Sequence, residues 1–124
     1  MEQIFALDVD VFAPCALGAI LNDITLPSLK AKVIAGAANN QLAAPARQGE
    51  ALRQRGILYA PDYAINAGGI IEIYHETHGY DEAKARAHLD GIGKVLTEIF
   101  ERADADAQPT HVVADRLAEE IFRR

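Results

Sequence analysis

The sequence predicts an α/β fold in which about three short parallel strands alternate with helical connections and are followed by C-terminal helices. Residues 31–35 (AKVIA) and 57–60 (ILYA) are short, largely apolar runs without period-two alternation, as expected of strands buried on both faces. Between them, residues 45–55 (PARQGEALRQR) have helical composition despite the interior Gly49, and Gly56 is a natural stop. Beyond Asn66 the apolar residues step by three or four, the period of an amphipathic helix.

In chain order, residues 4–13 (IFALDVDVFA) set Leu7, Val9 and Val11 in alternation with Asp8 and Asp10. That predicts a strand ending near Pro14; the alternative is a turn followed by a short strand over 11–13. Residues 15–18 (CALG) read as a loop whose small residues leave room against the backbone. Residues 19–29 carry an Asn22-Asp23 pair, Thr25 as a helix cap and Pro27 in the first turn of a short helix through Leu29, a brief crossover.

The next strand runs into VIAGAANNQL (33–42), where an apolar segment ends in small residues and two adjacent asparagines. The strand at 57–60 ends at Pro61-Asp62, and INAGG (65–69) reads as a second loop of the same kind. Strand, crossover, strand, helix, strand is the order of right-handed parallel units, so two strand ends bearing Asn and Gly predict a shared cleft beyond the sheet. Ile70, Ile71, Ile73 and Tyr74 open a helix whose Gly68-Gly69 start allows close backbone packing and which Gly79 interrupts. A long amphipathic helix over 81–103 places Leu89, Ile92, Leu96, Ile99, Phe100 and Ala103 on one side, weakened by Gly91 and Gly93. A last helix over 112–124, preceded by Pro109-Thr110, carries Leu117, Ile121 and Phe122.

Composition narrows the function classes. With 124 residues, 50% hydrophobic and 24% charged, the chain suits one globular domain with a real core. No apolar run approaches the roughly 20 residues that span a bilayer, and the acidic start MEQIFALDVD does not read as a signal peptide, so no membrane association and a cytoplasmic location are expected. The net charge of −6 argues against nucleic-acid binding through a broad basic face. Twelve of the 18 acidic residues lie from Glu72 onward, as expected for solvated C-terminal helices. A single cysteine, Cys15, excludes an intrachain disulfide framework.

Several residues invite chemistry that their context does not support. Cys15 has no marked His or Asp partner and reads as an inert, buried packing residue rather than a nucleophile. His75-Glu76-Thr77-His78 resembles the helical zinc motif H-E-x-x-H but is one residue short, so it reads as solvent-facing and no metal is expected. Asp8 and Asp10 read as solvated strand or turn positions, and Ile70 and Ile73, on spacing alone, as core.

The segments FAPCALGAILND, KVIAGAANNQLAAP, GILYAPDYAINAGGIIEI and VADRLAEE, in this order and spacing, resemble the C-terminal half of the NAD-dependent amino-acid dehydrogenases. This is the glutamate/leucine/phenylalanine/valine dehydrogenase superfamily, and the leucine-type members are the most similar. The resemblance implies the second half of a Rossmann-type doubly wound parallel sheet followed by C-terminal helices. Residues 1–62 would be a partial NAD-binding domain, and 63–124 the NAGG helix and C-terminal helices of the same domain or hinge. It implies oxidative deamination of a branched-chain L-amino acid to its 2-oxo acid. Cys15, Ala16, Leu17 and Gly18 would lie beside the ribose and pyrophosphate of NAD, Asn39 near the nicotinamide ribose and Asn66 near the carboxamide. Asn40 would help place substrate or cofactor near the reacting carbon, and Ile70 and Ile73 would line the substrate side-chain pocket.

The departures limit that reading. No G-x-G-x-x-G fingerprint occurs, and Lys30, Lys32, Lys84 and Lys94 do not lie in the glycine-rich context of the family's catalytic lysine. The catalytic lysine and aspartate belong to an N-terminal domain that would precede this sequence, so no catalytic residue is expected here and the chain alone is expected to be inactive. The first strand would normally pair with the missing first half, which leaves an apolar edge. The expected partners are therefore further copies of the chain, in a homo-oligomer, or a chain that complements the missing half. A non-catalytic oligomerising or ligand-binding module is the alternative.

Overall fold

The computed structural model describes residues 2–123, and their sheet is all-parallel. Strands β1 (Val11–Phe12), β2 (Val33–Ile34) and β3 (Leu58–Tyr59) lie side by side in chain order. The regular strands are shorter than the apolar runs, yet the ladder reaches one residue further at each side. Val33 N–H donates to Asp10 O at 3.0 Å, and Ala60 N–H donates to Ile34 O at 2.9 Å.

Register aligns Phe12, Ile34 and Tyr59 in one row and Val11, Val33 and Leu58 in the other. The first row is buried beneath Leu21, Leu26, Leu29, Leu42, Leu52 and Ile57, whereas Val11 is 53% and Leu58 37% exposed. Strands covered on both faces were expected; burial here alternates, because among the described residues helical cover is supplied to one face only.

The long N-terminal strand is also corrected. Glu2–Ala6 form a 3-10 turn that brings Phe5 against Phe12, ring centroids 5.2 Å apart, while Leu7, Val9 and Val11 stay exposed. The alternative reading, a turn before a short strand, describes what is found. The crossover contains one 3-10 turn, Leu26–Ser28, with Pro27 inside it. Thr25 precedes that turn without capping it; its hydroxyl accepts the Asn22 N–H at 3.1 Å, and Asn22 Oδ1 accepts the Ile24 and Thr25 N–H groups.

The helices are α1 (Pro45–Gln54), α2 (Asp62–Ile65), α3 (Gly68–Thr77), α4 (Glu82–Asp106) and α5 (Thr110–Phe122). Helix α2 was not anticipated: the predicted loop INAGG is a joint, Asn66-Ala67, between α2 and α3. The expected boundary between residues 62 and 63 falls inside α2, and the expected helix end at Arg124 lies outside the described residues.

Helix α4 begins where the Asp81 carboxylate accepts the Lys84 N–H at 3.1 Å and runs three residues beyond the predicted 103. Gly91 and Gly93 face open space, and Gly69 has nothing within 4 Å of a notional Cβ, so the glycine-rich start of α3 is not used for close packing at Gly69. Gly49 is: a Cβ there would fall inside the His111 ring, so a glycine inside α1 is what lets α5 dock on it. Helices α4 and α5 close a second apolar cluster around Ile99, Ala103, Val113 and Ala114.

Helix α4 stops at Ala107, an alanine held at φ 51°. A left-handed alanine carries a Cβ penalty of roughly 1–2 kcal/mol that glycine avoids, less the entropy glycine adds to the unfolded chain. Ala107→Gly is therefore expected to stabilise the fold by about 0.5–1 kcal/mol, read as a higher urea midpoint with an unchanged slope.

Candidate functional site

The site forms where the carboxyl ends of β1, β2 and β3 release their loops. Past β2 the chain crosses the end of β1 so closely that only glycine fits at 36, where a Cβ would stand 2.6 Å from Pro14 Cδ and closer still to its backbone. Ala38 N–H donates to Pro14 O at 2.9 Å at the same crossing.

Gln41, fully buried, pins the loop from beneath. Its side-chain amide donates to Gly36 O at 2.8 Å and to Ala38 O at 2.9 Å. These two bonds satisfy carbonyls that a tight apolar turn otherwise strands, and they curl residues 36–40 so that Asn39 and Asn40 emerge at the surface. Asn40 takes a left-handed conformation, φ 53°, which asparagine tolerates better than other side chains.

Neighbouring segments close on the two asparagines. Ala19 N–H donates to Asn40 O at 2.7 Å and Leu21 N–H to Gln41 O at 3.0 Å, which lays residues 18–21 alongside the loop. A Cβ on Gly18 would meet Asn39 O at 2.9 Å and Asn40 O at 3.2 Å, so the room left by that glycine is filled by the asparagine loop. Asn66 Nδ2 donates to Asn39 Oδ1 at 2.5 Å and to Ala37 O at 3.3 Å. The structure thus brings together Gly18, Asn39, Asn40 and Asn66, with Cys15, Ala16 and Leu17 exposed on the same connection.

Other expected residues fall differently. Cys15 is exposed, not a buried packing residue, because the 15–18 loop projects beyond the sheet. Ile70 and Ile73 are not core: they are 71% and 60% exposed, and Ile71 is the residue of α3 that turns inward. His75 is half-buried rather than simply solvent-facing, with Nε2 3.3 Å from His88 Nδ1, and the His78 ring stacks on Tyr74. Asp8 and Asp10 are exposed, Asp10 paired with Lys32 at 3.4 Å. Among the described residues no three His, Cys, Asp or Glu side chains are grouped to hold a metal ion. No helix among them is long and apolar enough to cross a membrane.

Two residues at the heart of the site were missed. Gln41 could have been flagged as a third polar side chain after Asn39-Asn40, directly before the apolar Leu42-Ala43-Ala44. Asp62 is buried, accepts the Asn40 N–H through Oδ2 and accepts the Tyr59 hydroxyl through Oδ1 at 3.2 Å; its signal was a carboxylate directly after Pro61. Asn40, Leu42, Tyr59, Asp62, Tyr63 and His111 line a cavity of about 150 Å³ under the loop. A larger concavity of about 500 Å³ between α1, β3 and the α4–α5 turn shares Tyr59 with this cavity but includes none of the expected site residues.

The cavity walls are held by polar bonds from α5. Tyr63 donates to Asp115 Oδ1 at 2.6 Å; burial first, and that carboxylate second, push the phenol well above its usual range. Burial also raises Tyr59, helped by Asp62. His111 is pushed below its usual value by burial, with Asp115 opposing.

Amides and exposed backbone gather beyond the carboxyl ends of a three-stranded parallel sheet, in an α/β fold with C-terminal helices. The chain belongs to the Glutamate/Leucine/Phenylalanine/Valine dehydrogenase family, whose model matches residues 1–117. It is 50% identical over 119 residues to leucine dehydrogenase of Geobacillus stearothermophilus, covering 96% of this chain and 32% of that protein. It is 50% identical over 113 residues to valine dehydrogenase of Streptomyces coelicolor, covering 91% and 31%. The crystal structure of L-tryptophan dehydrogenase from Nostoc punctiforme superimposes with a TM-score of 0.93 at 52% identity, covering 96% of this chain and 35% of that one. The chain therefore spans about a third of the length of these relatives.

The depressed His111 carries a pH signature. The unfolded imidazole takes up its proton near 6.5, whereas the folded one takes it up only at lower pH. Below about 6.5 the unfolded chain therefore holds more protons, and stability falls as pH falls. Urea unfolding at pH 7.5 and 5.5 is expected to show this loss in the native chain and a smaller loss in His111→Gln.

Proposed function

We propose that this chain is the C-terminal, NAD-binding part of an amino-acid dehydrogenase that oxidatively deaminates a branched-chain, leucine-like L-amino acid to its 2-oxo acid. The observation that carries the reading is the convergence of Asn39, Asn40 and Asn66 with the 15–18 loop at the ends of three parallel strands. Family membership supplies the reaction class, and the division into residues 1–62 and 63–124 is part of the same reading.

The donor set suits a nicotinamide nucleotide. Side-chain amides both donate and accept, as ribose hydroxyls and a carboxamide require. Residues 15–18 are exposed, and among the described residues none of their backbone N–H groups donates to another residue. Bound there, the cofactor would supply a hydride acceptor for the amino acid's α-carbon. On this reading Asn66 orients the carboxamide and Asn39 the adjoining ribose, while Asn40 places the substrate. The exposed Ile70 and Ile73 offer an aliphatic wall, which favours a branched-chain side chain over a large aromatic one even though a tryptophan dehydrogenase is a relative of similar identity. The lysine and aspartate that move protons in this chemistry are assigned to the family's N-terminal domain, and the location proposed is cytoplasmic.

A second reading, a non-catalytic module that associates with other chains, draws on a different observation. Val11 and Leu58 are exposed on the uncovered sheet face, and Val9 is exposed beside the open edge of β1. Such a surface is closed by a second copy or by a chain supplying the first half of the sheet. On either reading the purified 124-residue chain is expected to self-associate in light scattering; a stable monomer that binds no exposed-patch dye would remove the uncovered face as a contact surface.

Quenching of NADH fluorescence tests the cofactor reading directly. Binding is expected to be weak, because the glycine turn that normally seats the pyrophosphate is not among these residues, and about tenfold weaker still in Asn66→Ala. No L-leucine-dependent reduction of NAD by the chain alone is expected, and turnover would overturn the assignment of the catalytic lysine to another segment.

A further inference from the structure

We infer that Asp62 is the positioning residue of the asparagine loop, holding Asn40 in the backbone conformation that presents both asparagines to the ligand. The inference rests on the proposed cofactor-binding role of that loop and adds the group that sets its geometry.

Three observations meet at this carboxylate. Asn40 stands at φ 53° in the turn that follows β2, and its N–H donates to Asp62 Oδ2. Asp62 is only 8% exposed, and its other oxygen accepts the Tyr59 hydroxyl at 3.2 Å, so the carboxylate is oriented from the sheet side. Asp62 and Asn66 bracket one helical turn, closed by the Asn66 N–H to Asp62 O bond at 2.9 Å. A single turn thus grips both asparagines, Asp62 through the Asn40 backbone and Asn66 through the Asn39 side chain at 2.5 Å.

The chemistry explains why a carboxylate serves here. Among the described residues the Asn40 N–H has no acceptor besides Asp62, and an unpaired N–H beside a cavity is costly. A carboxyl oxygen supplies the acceptor that this N–H needs. The carboxylate sits at the start of α2, where Pro61 gives up no N–H and the turn begins at once, so its reach toward residue 40 is set by the end of β3. Tyr59 is in β3 and Asn40 follows β2; Asp62 therefore ties the spacing of two strand ends to the pose of the site.

Backbone amide spectra and hydrogen exchange of the native 124-residue chain, Asp62→Asn and Asp62→Ala test this. The Asn40 amide is expected to resonate far downfield and exchange slowly in the native chain. In Asp62→Ala it should exchange at least about tenfold faster and move upfield, together with the Asn66 side-chain NH2 group, while the ladder amides of Ala35 and Ala60 keep their protection. Asp62→Asn keeps an acceptor oxygen and should restore most of that protection with a smaller upfield shift. An Asn40 amide unchanged in Asp62→Ala overturns the inference, as does a uniform loss of protection across the sheet in both variants. Should Asp62→Ala fail to fold, a shift confined to residues 39–40 and 66 in Asp62→Asn supports the inference, and no shift there overturns it.

NADH affinity forms the second arm. Asp62→Ala should bind at least about fivefold more weakly than the native chain, with Asp62→Asn between them. Equal affinity in all three overturns the inference. Failure of the native chain to bind NADH counts against the cofactor reading alone, since the amide spectra still decide what holds Asn40.

Discussion

The buried amide of Gln41, bonded to the carbonyls of Gly36 and Ala38, is the constraint on which the carboxyl end of the sheet depends. The chain leaving β2 must pass within contact of Pro14, turn inside an apolar layer and still bring two polar side chains to the surface. Such a turn leaves carbonyls facing the interior. One fully buried side chain answers two of them, and each would otherwise carry a desolvation cost of about 1–3 kcal/mol. From that point the neighbouring segments follow: residues 18–21 lie against the loop, and α2 closes it from the other side.

Close approach recurs as the means by which this small chain makes its tertiary contacts. Gly36 admits Pro14, Gly18 admits the carbonyls of Asn39 and Asn40, and Gly49 admits the ring of His111. Each is a place where two segments distant in the chain touch through the position of an absent Cβ. The polar counterpart is equally long-range. Thr110 donates to Tyr59 O at 2.7 Å, Tyr63 reaches Asp115, and α5 is thereby fastened to the strand and helix that form the base of the site. The uncovered row of Val11, Val33 and Leu58 marks the other limit of the design, a sheet face for which these residues supply no lid.

Most of the element order was legible from local pattern. The helices α1, α4 and α5, the three strands and the Gly56 stop announce themselves because propensity, periodicity and breakers agree over ten or more residues or at sharp boundaries. The N-terminal alternation misled because period two in Leu7, Val9 and Val11 coincides with solvent exposure; burying Phe5 on Phe12 decides that segment instead. Four-residue α2 was illegible because it lacks the length to show a period. Ile70 and Ile73 read as core from spacing, yet the packing of α3 turns Ile71 inward and leaves them outside.

By itself the sequence determined the fold class, the family resemblance and the identity of the amide-bearing loops, since strand runs, helix periods and the NN and NAGG segments are properties of neighbouring residues. Only the tertiary structure decided which amides meet. That Asn66 reaches Asn39 across 27 positions, that Asp62 takes the Asn40 N–H and that Gln41 lies beneath both follows from the register of three parallel strands. Register is set by burying Phe12, Ile34 and Tyr59 in one row, a packing choice between distant segments that no local window of sequence contains.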